Sequence, residues 1–171
     1  RPGMVPVDVF FKQYQYPHPA WSFIGRRSKA RCEFDNYAVF SRLNVPAAEA
    51  MAVGEDRDGL GRLRKAIVLT RAIPAAATLV EFMQGPARDR ARLEIRAMRM
   101  DLIRQLAEMT RRIHAASFFH HDLVWRNVLV SALPPQSPSL WWIDCPRGGF
   151  VRWPFPRRRR RIKDLASLDK P

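Results

Sequence analysis

His120-His121-Asp122-Leu123-Val124-Trp125-Arg126-Asn127-Val128-Leu129 is the stretch on which the reading of this chain turns. It sets Asp122 five residues before Asn127, directly after a histidine pair and just ahead of an apolar, strand-like run. That is the layout H-x-D-L-x-x-x-N of a phosphotransfer catalytic loop. The spacing follows from the chemistry. Asp122 suits the role of accepting the proton of an attacking hydroxyl. Asn127, one short loop later, suits holding a metal ion that neutralises phosphate charge. Histidine, aspartate and asparagine also populate ordinary turns, so the neighbouring segments must decide.

Working outward, residues 89 to 117 carry Ile95, Met98, Leu102, Leu106, Met109, Ile113 and Ala116 at steps of three and four. This is the apolar face of the longest predicted helix. Downstream, Asn127 to Ser131, a proline-rich turn (Pro134, Pro135, Pro138) and Leu140-Trp141-Trp142-Ile143-Asp144 read as a hairpin whose second strand delivers an aspartate. Upstream, Val7 to Tyr14 is β-branched and aromatic, a strand with Lys12 near its end that Pro17 and Pro19 are expected to break. Ser28 is a candidate cap for a helix over 29 to 43, with Phe34, Tyr37, Ala38 and Leu43 at helical spacing. Asn44-Val45-Pro46 ends it. Gly54 to Arg64 holds three glycines among charged residues and reads as a hairpin-like loop. Lys65 to Thr70 follows as a buried strand. Thr78-Leu79-Val80-Glu81 matches a capping box opening a short helix. The order of elements predicts an α+β fold, sheet-bearing first and helical second.

Lys12, Glu33, Asp122, Asn127 and Asp144 therefore fall in chain order on a strand, a helix, a loop and a strand end. Phosphotransfer from a nucleotide needs this inventory: a lysine on the phosphates, a glutamate to orient it, a base and two metal ligands. Each residue alone has a plainer explanation. Lys12 could be a solvated strand end, Glu33 a surface helix charge, Asp122 a turn residue, and Asp144 the cap of the Cys145-Pro146 turn.

The ensemble resembles the bacterial lipopolysaccharide core kinases of the Kdo and heptose kinase group, whose fold is protein-kinase-like. The likeness rests on Val9-Phe10-Phe11-Lys12, Arg31-Cys32-Glu33-Phe34 with Phe40-Ser41-Arg42-Leu43, Ala66 to Thr70, and Thr78 to Phe82. It continues through Arg112 to Ala116, Trp142-Ile143-Asp144, and the arginine run leading to Lys163-Asp164-Leu165-Ala166-Ser167-Leu168. The resemblance implies a two-lobe fold, with residues 1–73 as a partial N-lobe, a hinge at about 70–73, and residues 74–171 as a partial C-lobe. The C-lobe would carry the catalytic loop at 120–127 and the basic segment at 157–165. It implies ATP and Mg²⁺ as cofactors: Lys12 on the α/β-phosphates, Glu33 paired with Lys12, and Thr70, Arg71 and Ile73 at the adenine hinge. Asp122 would be the base, with Asn127 and Asp144 on the metal. The implied reaction phosphorylates a sugar hydroxyl of the lipid-linked core oligosaccharide. The rival readings are a kinase for another small-molecule or protein hydroxyl, and a catalytically silent kinase-like module. The chain departs from the pattern at His121, where protein kinases place arginine, and at Cys145-Pro146, where they place Phe-Gly. Arg1-Pro2-Gly3-Met4 is too short for a glycine-rich phosphate loop, and few residues follow Leu165, so truncation at both ends is expected.

Composition sets the outer limits. At 171 residues and 47 % hydrophobic, the chain can bury a core, and no apolar run approaches the roughly 18 residues of a membrane span. Cys32 and Cys145 lack metal-ligand spacing and read as thiols of a reducing compartment. The net charge of +14 is partly concentrated in Arg157-Arg158-Arg159-Arg160-Arg161. It suits an anionic membrane face or a phosphorylated substrate. Nucleic acid is not expected, because the aromatics sit in apolar runs and are not interleaved with the basic residues. Five arginines near an anionic leaflet would contribute about 5 kcal/mol at most. That suffices for reversible docking at the cytoplasmic face of the inner membrane.

Overall fold

The computed structural model describes residues 6–85, 92–132 and 137–168. Strand β1 (Val9–Ala20) leads through a 3₁₀ turn to helix α1 (Lys29–Arg42) and then strands β2 (Ala50–Arg57) and β3 (Leu63–Arg71). These strands form one antiparallel sheet in the order β1-β3-β2. Strand β4 (Ala76–Thr78) and helices α2 (Leu79–Gln84) and α3 (Arg92–Ala115) come next. After them run β5 (Phe118–Phe119), β6 (Val128–Ser131), β7 (Ser139–Trp142), β8 (Gly149–Phe150) and α4 (Pro154–Leu168). A second antiparallel sheet has the order β4-β6-β7, while β5 pairs with β8. No helix among the described residues is long and apolar enough to cross a membrane.

Period-two alternation in the first sheet positions the site. Phe10 pairs with Thr70, Lys12 with Val68 and Tyr14 with Ala66, so these six share one face. A small core of Ala30, Leu63, Ala66 and Val68, with Tyr14 and Phe34 packed on it, joins that face to α1. Ser28 caps α1, its side chain accepting from the Arg31 N–H at 3.0 Å. Thr78 and Glu81 form the predicted capping box of α2. The larger core joins Phe40 of α1, Met98, Leu102, Met109 and Ile113 of α3, and Val128, Val130, Leu140 and Trp142 of the β6–β7 hairpin.

Three expectations need correction. β1 does not stop at Pro17 but continues to Ala20. Its pairing with β3 jumps from Gln15↔Lys65 to Ala20↔Leu63, so the prolines fall in a bulge where no ladder N–H is required. Half of the expected loop from Gly54 to Arg64 is strand. β2 reaches Arg57, and only the turn around Asp58 is irregular, held by Asp58 Oδ1 accepting from Leu60 and Arg62 N–H groups. The buried face of α1 is Ala30, Glu33, Asn36, Tyr37 and Phe40, with Ala38 exposed; it is rotated from the expected apolar face because α1 packs across a polar site. The arginine run, not assigned to an element from sequence, lies in α4. Pro134, Pro135, Arg1 to Met4 and the first residues of the predicted helix from 89 lie outside the described residues.

Gly148 follows Asp144 at a point of close contact. A Cβ there would overlap the buried Cys145 Sγ and lie 2.8 Å from Phe118 Cζ. Gly148→Ala is expected to cost about 1–3 kcal/mol by overpacking. Chemical denaturation measures this, and Cys145→Ala in the same chain should recover part of the loss.

Candidate active site

Lys12 Nζ lies 3.1 Å from Glu33 Oε2 and 2.6 Å from Asp144 Oδ1, so one ammonium bridges two carboxylates from α1 and the end of the second sheet. Glu33 is buried, and three donors satisfy it. Besides Lys12, the Tyr14 hydroxyl donates to Oε2 at 2.6 Å and the Tyr37 hydroxyl to Oε1 at 2.9 Å. Burial, reinforced by the negative charge of Glu33, pushes both phenols well above the usual tyrosine range, so they stay protonated donors. Tyr37 also accepts from the Asp144 N–H at 3.0 Å. Asn36, its neighbour on α1, donates to Cys145 O at 2.7 Å and Gly148 O at 3.0 Å.

A cleft of about 500 Å³ adjoins this cluster. Ala48, Val68, Ile73, Leu129 and Ile143 provide apolar walls, and Lys12, Glu33 and Asp144 lie in its polar lining. Thr70, at the end of β3, also lines it and is buried. Arg71 turns its side chain to Glu49, 2.6 Å away, in an exposed pair.

Asp122 and Asn127 stand outside that lining and are tied to it by the hairpin. Asn127 ends a 3₁₀ turn (Trp125–Asn127), and its carbonyl accepts from Ile143 N–H at 3.0 Å. This puts Asn127 and Asp144 at the same end of adjacent strands. The Asn127 amide nitrogen donates to Asp122 O at 2.9 Å, which closes the loop and leaves the amide oxygen without a hydrogen bond among the described residues.

The loop is anchored by a residue that sequence reasoning used only as part of a family marker. Asp164 of α4 is fully buried. Its Oδ2 accepts from His120 N–H at 3.0 Å and pairs with His114 Nε2 at 3.1 Å, and its Oδ1 accepts from His121 N–H at 2.9 Å. Burial alone would raise this carboxyl, but the bonds from His114, His121 and His120 outweigh it and hold the group below the usual carboxylate range. His121 has φ 65° and Asp144 φ 56°. Both are in the left-handed region, a strained conformation that side-chain-bearing residues keep only when neighbours enforce it. Arg160 donates to His121 Nε2 at 2.6 Å. Burial and that adjacent guanidinium both lower the His121 pKa. His120 is fully buried, stacks on Phe40 at 9° and packs edge-on against Trp142.

All eight residues singled out from sequence are thus accounted for. Lys12, Glu33 and Asp144 are in direct contact, and Asp122 and Asn127 form one bonded loop beside them. Thr70, Arg71 and Ile73 follow one another along the cleft edge. Tyr14, Tyr37, Asn36 and Asp164 were missed. Tyr14 is two residues from Lys12 on a strand, and Tyr37 one helical turn from Glu33, so a same-face argument could have reached both. Nothing local marks Asp164, whose partners are 43 to 50 residues away.

A family model described as the lipopolysaccharide kinase (Kdo/WaaP) family matches residues 16–171. The match covers every residue of the site except Lys12 and Tyr14. No curated protein matches the chain. A solved structure described as WaaP in complex with acyl carrier protein superposes with a TM-score of 0.67 at 23 % identity, over 94 % of this chain and 61 % of that one. The fold is therefore kinase-like α+β, and the chain spans about three-fifths of the length of that structure.

Two outcomes are expected. Asp164→Ala strands two backbone N–H groups and should cost about 3 kcal/mol or more, measured by urea unfolding. His120 is held neutral by burial, its pKa lowered from 6.5 to about 4, so between these values the unfolded chain binds more protons. Stability should then fall by at most about 3 kcal/mol as pH drops through that window. His120→Phe should flatten this loss, since neither ring nitrogen has a hydrogen-bond partner among the described residues.

Proposed function

The chain belongs to the lipopolysaccharide kinase (Kdo/WaaP) family, and from that premise we propose that it transfers the γ-phosphoryl group of ATP to a Kdo or heptose hydroxyl of the lipid-linked inner core. The observation that carries this reading is the Lys12–Glu33–Asp144 cluster beside an apolar cleft, with the Asp122–Asn127 loop bonded to Ile143, between the end of β7 and Asp144. In this reading residues 1–73 form the nucleotide lobe and 74–171 the acceptor lobe, and 70–73 is the hinge.

The residues fit the groups they would hold. Lys12 faces two carboxylates, which leaves one negative charge unmatched and suits a further cation. Asn127 and Asp144 offer oxygen donors, the type a hard Mg²⁺ prefers. When bound, the metal supplies neutralisation of phosphate charge. At the hinge, Arg71 N–H already donates to Glu49 O and Ala72 N–H to Asp8 O. Ile73 N–H has no backbone partner among the described residues and is the donor we assign to adenine. Lys12, oriented by Glu33, would bind the α/β-phosphates. Asp122 would accept the proton as the sugar oxygen forms its bond to phosphorus and the bond to the leaving diphosphate breaks.

Among the five arginines proposed to meet an anionic acceptor or membrane surface, Arg158, Arg159 and Arg161 are exposed and Arg157 and Arg160 are half-buried. Arg157 donates to the Val151 and Arg152 carbonyls, Arg160 to His121, and Arg161 to the His114 carbonyl. Arg158 and Arg159, exposed and without a hydrogen bond among the described residues, are therefore the part of the run best suited to docking at the cytoplasmic face of the inner membrane. Because the WaaP structure includes acyl carrier protein, that protein is a further partner to test.

Phosphoryl transfer from labelled ATP to purified core lipid tests the assignment. Asp122→Asn should lower kcat by about 10²-fold or more with the fold intact. Undiminished transfer by that variant would remove Asp122, and with it this mechanism.

A further inference from the structure

Tyr37 is a buried phenol, 5 % exposed, with one hydroxyl between two functional groups on different elements. The Asp144 N–H can only donate, so the hydroxyl accepts there at 3.0 Å, and its single proton goes to Glu33 Oε1 at 2.9 Å. The bond direction is thereby forced. One residue earlier, Asn36 grips the next carbonyl, Cys145 O, at 2.7 Å. Two consecutive residues of α1 thus hold two successive residues of the Asp144-Cys145 segment, at a point where Asp144 has a left-handed φ of 56°. Tyr14 differs. Its hydroxyl bonds Glu33 Oε2 at 2.6 Å and makes no bond to the segment carrying Asp144 among the described residues.

We infer that Tyr37 is a positioning residue for Asp144: through one hydroxyl it fixes the backbone that aims the metal-binding carboxylate, and it couples that aim to the glutamate that orients Lys12. The inference rests on the kinase reading above. It assigns the two tyrosines separate tasks. Tyr14 serves only the Glu33–Lys12 pair, whereas Tyr37 serves that pair and the metal ligand. With cysteine rather than an aromatic residue at position 145, the hydroxyl of Tyr37 and the amide of Asn36 supply the hold on this segment through hydrogen bonds.

The test uses the full chain as Tyr37→Phe and Tyr14→Phe, with Mg²⁺ titrated at a fixed concentration of a non-hydrolysable ATP analogue. Melting temperature is read for each, and the phosphoryl-transfer rate is read in parallel with ATP. Loss of such an outer contact typically weakens a metal site by about 10–100-fold. Tyr37→Phe should therefore raise the Mg²⁺ midpoint by about tenfold or more, and Tyr14→Phe by less than about twofold on the same basis. Hydrogen exchange at the Asp144 amide should accelerate in Tyr37→Phe alone. If Tyr37→Phe does not fold, Tyr37→Met, which also lacks the hydroxyl, takes its place. An unchanged midpoint with unchanged Asp144 exchange, or equal shifts in both variants, overturns the inference and leaves the kinase reading standing. A wild-type chain without any Mg²⁺–analogue response overturns both.

Discussion

The carboxylate of Asp164 is the constraint on which the loop geometry depends. It is a charge buried without exposure, a placement that is strongly unfavourable unless hydrogen bonds replace the lost water. Its oxygens take the backbone N–H groups of His120 and His121 and the ring of His114. These donors belong to the end of α3 and to the loop at 120–127, while the acceptor belongs to α4. One side chain therefore stitches three segments together and enforces the left-handed turn at His121. That turn directs the chain into Asp122. A neutral residue at 164 could fill the space but could not satisfy the N–H pair that makes the turn tolerable.

Glu33 has the same logic at the other end of the site. Two phenols and one ammonium converge on it, so hydrogen bonds offset the cost of its burial. Lys12 is shared with Asp144, and Tyr37 is shared with the Asp144 backbone. The lysine, its glutamate and the aspartate are consequently one bonded unit spanning the first sheet, α1 and the hairpin. Asp144 remains partly exposed, so its pair with Lys12 is screened by solvent and is the weaker member.

The basic composition takes on a different meaning once the arginines are located. Arg57 donates to the carbonyls of Phe23, Arg26 and Gly61 and pairs with Glu55. Arg112 binds the Asn44 carbonyl where α1 ends. Arg157 and Arg161 bind carbonyls around α4. A guanidinium carries five donors in a planar fork, and this chain uses several of them to satisfy carbonyls at turns and helix ends. These guanidiniums keep their charge and still add to the field of the +14 chain, but fewer arginines are left to contact an anionic partner directly, Arg158 and Arg159 among them.

Sequence by itself determined those features that depend on near neighbours. The Ser28 cap, the Thr78–Glu81 box and the apolar face of α3 are each written within a few residues. So was the Asp122–Asn127 spacing, because one short loop must hold both groups. Tertiary structure decided what depends on partners far along the chain. Pro17 and Pro19 stay in a strand because the β1–β3 pairing bulges around them. Glu33, Asn36 and Tyr37 turn inward because the opposing surface is polar, which no periodicity of α1 can report. Asp164 gains its importance only when α4 folds back onto the loop, since a carboxylate becomes an anchor by being buried against donors 43 and 44 residues away. Local propensity and spacing are properties of short segments, whereas desolvation and hydrogen-bond satisfaction are properties of the assembled surfaces.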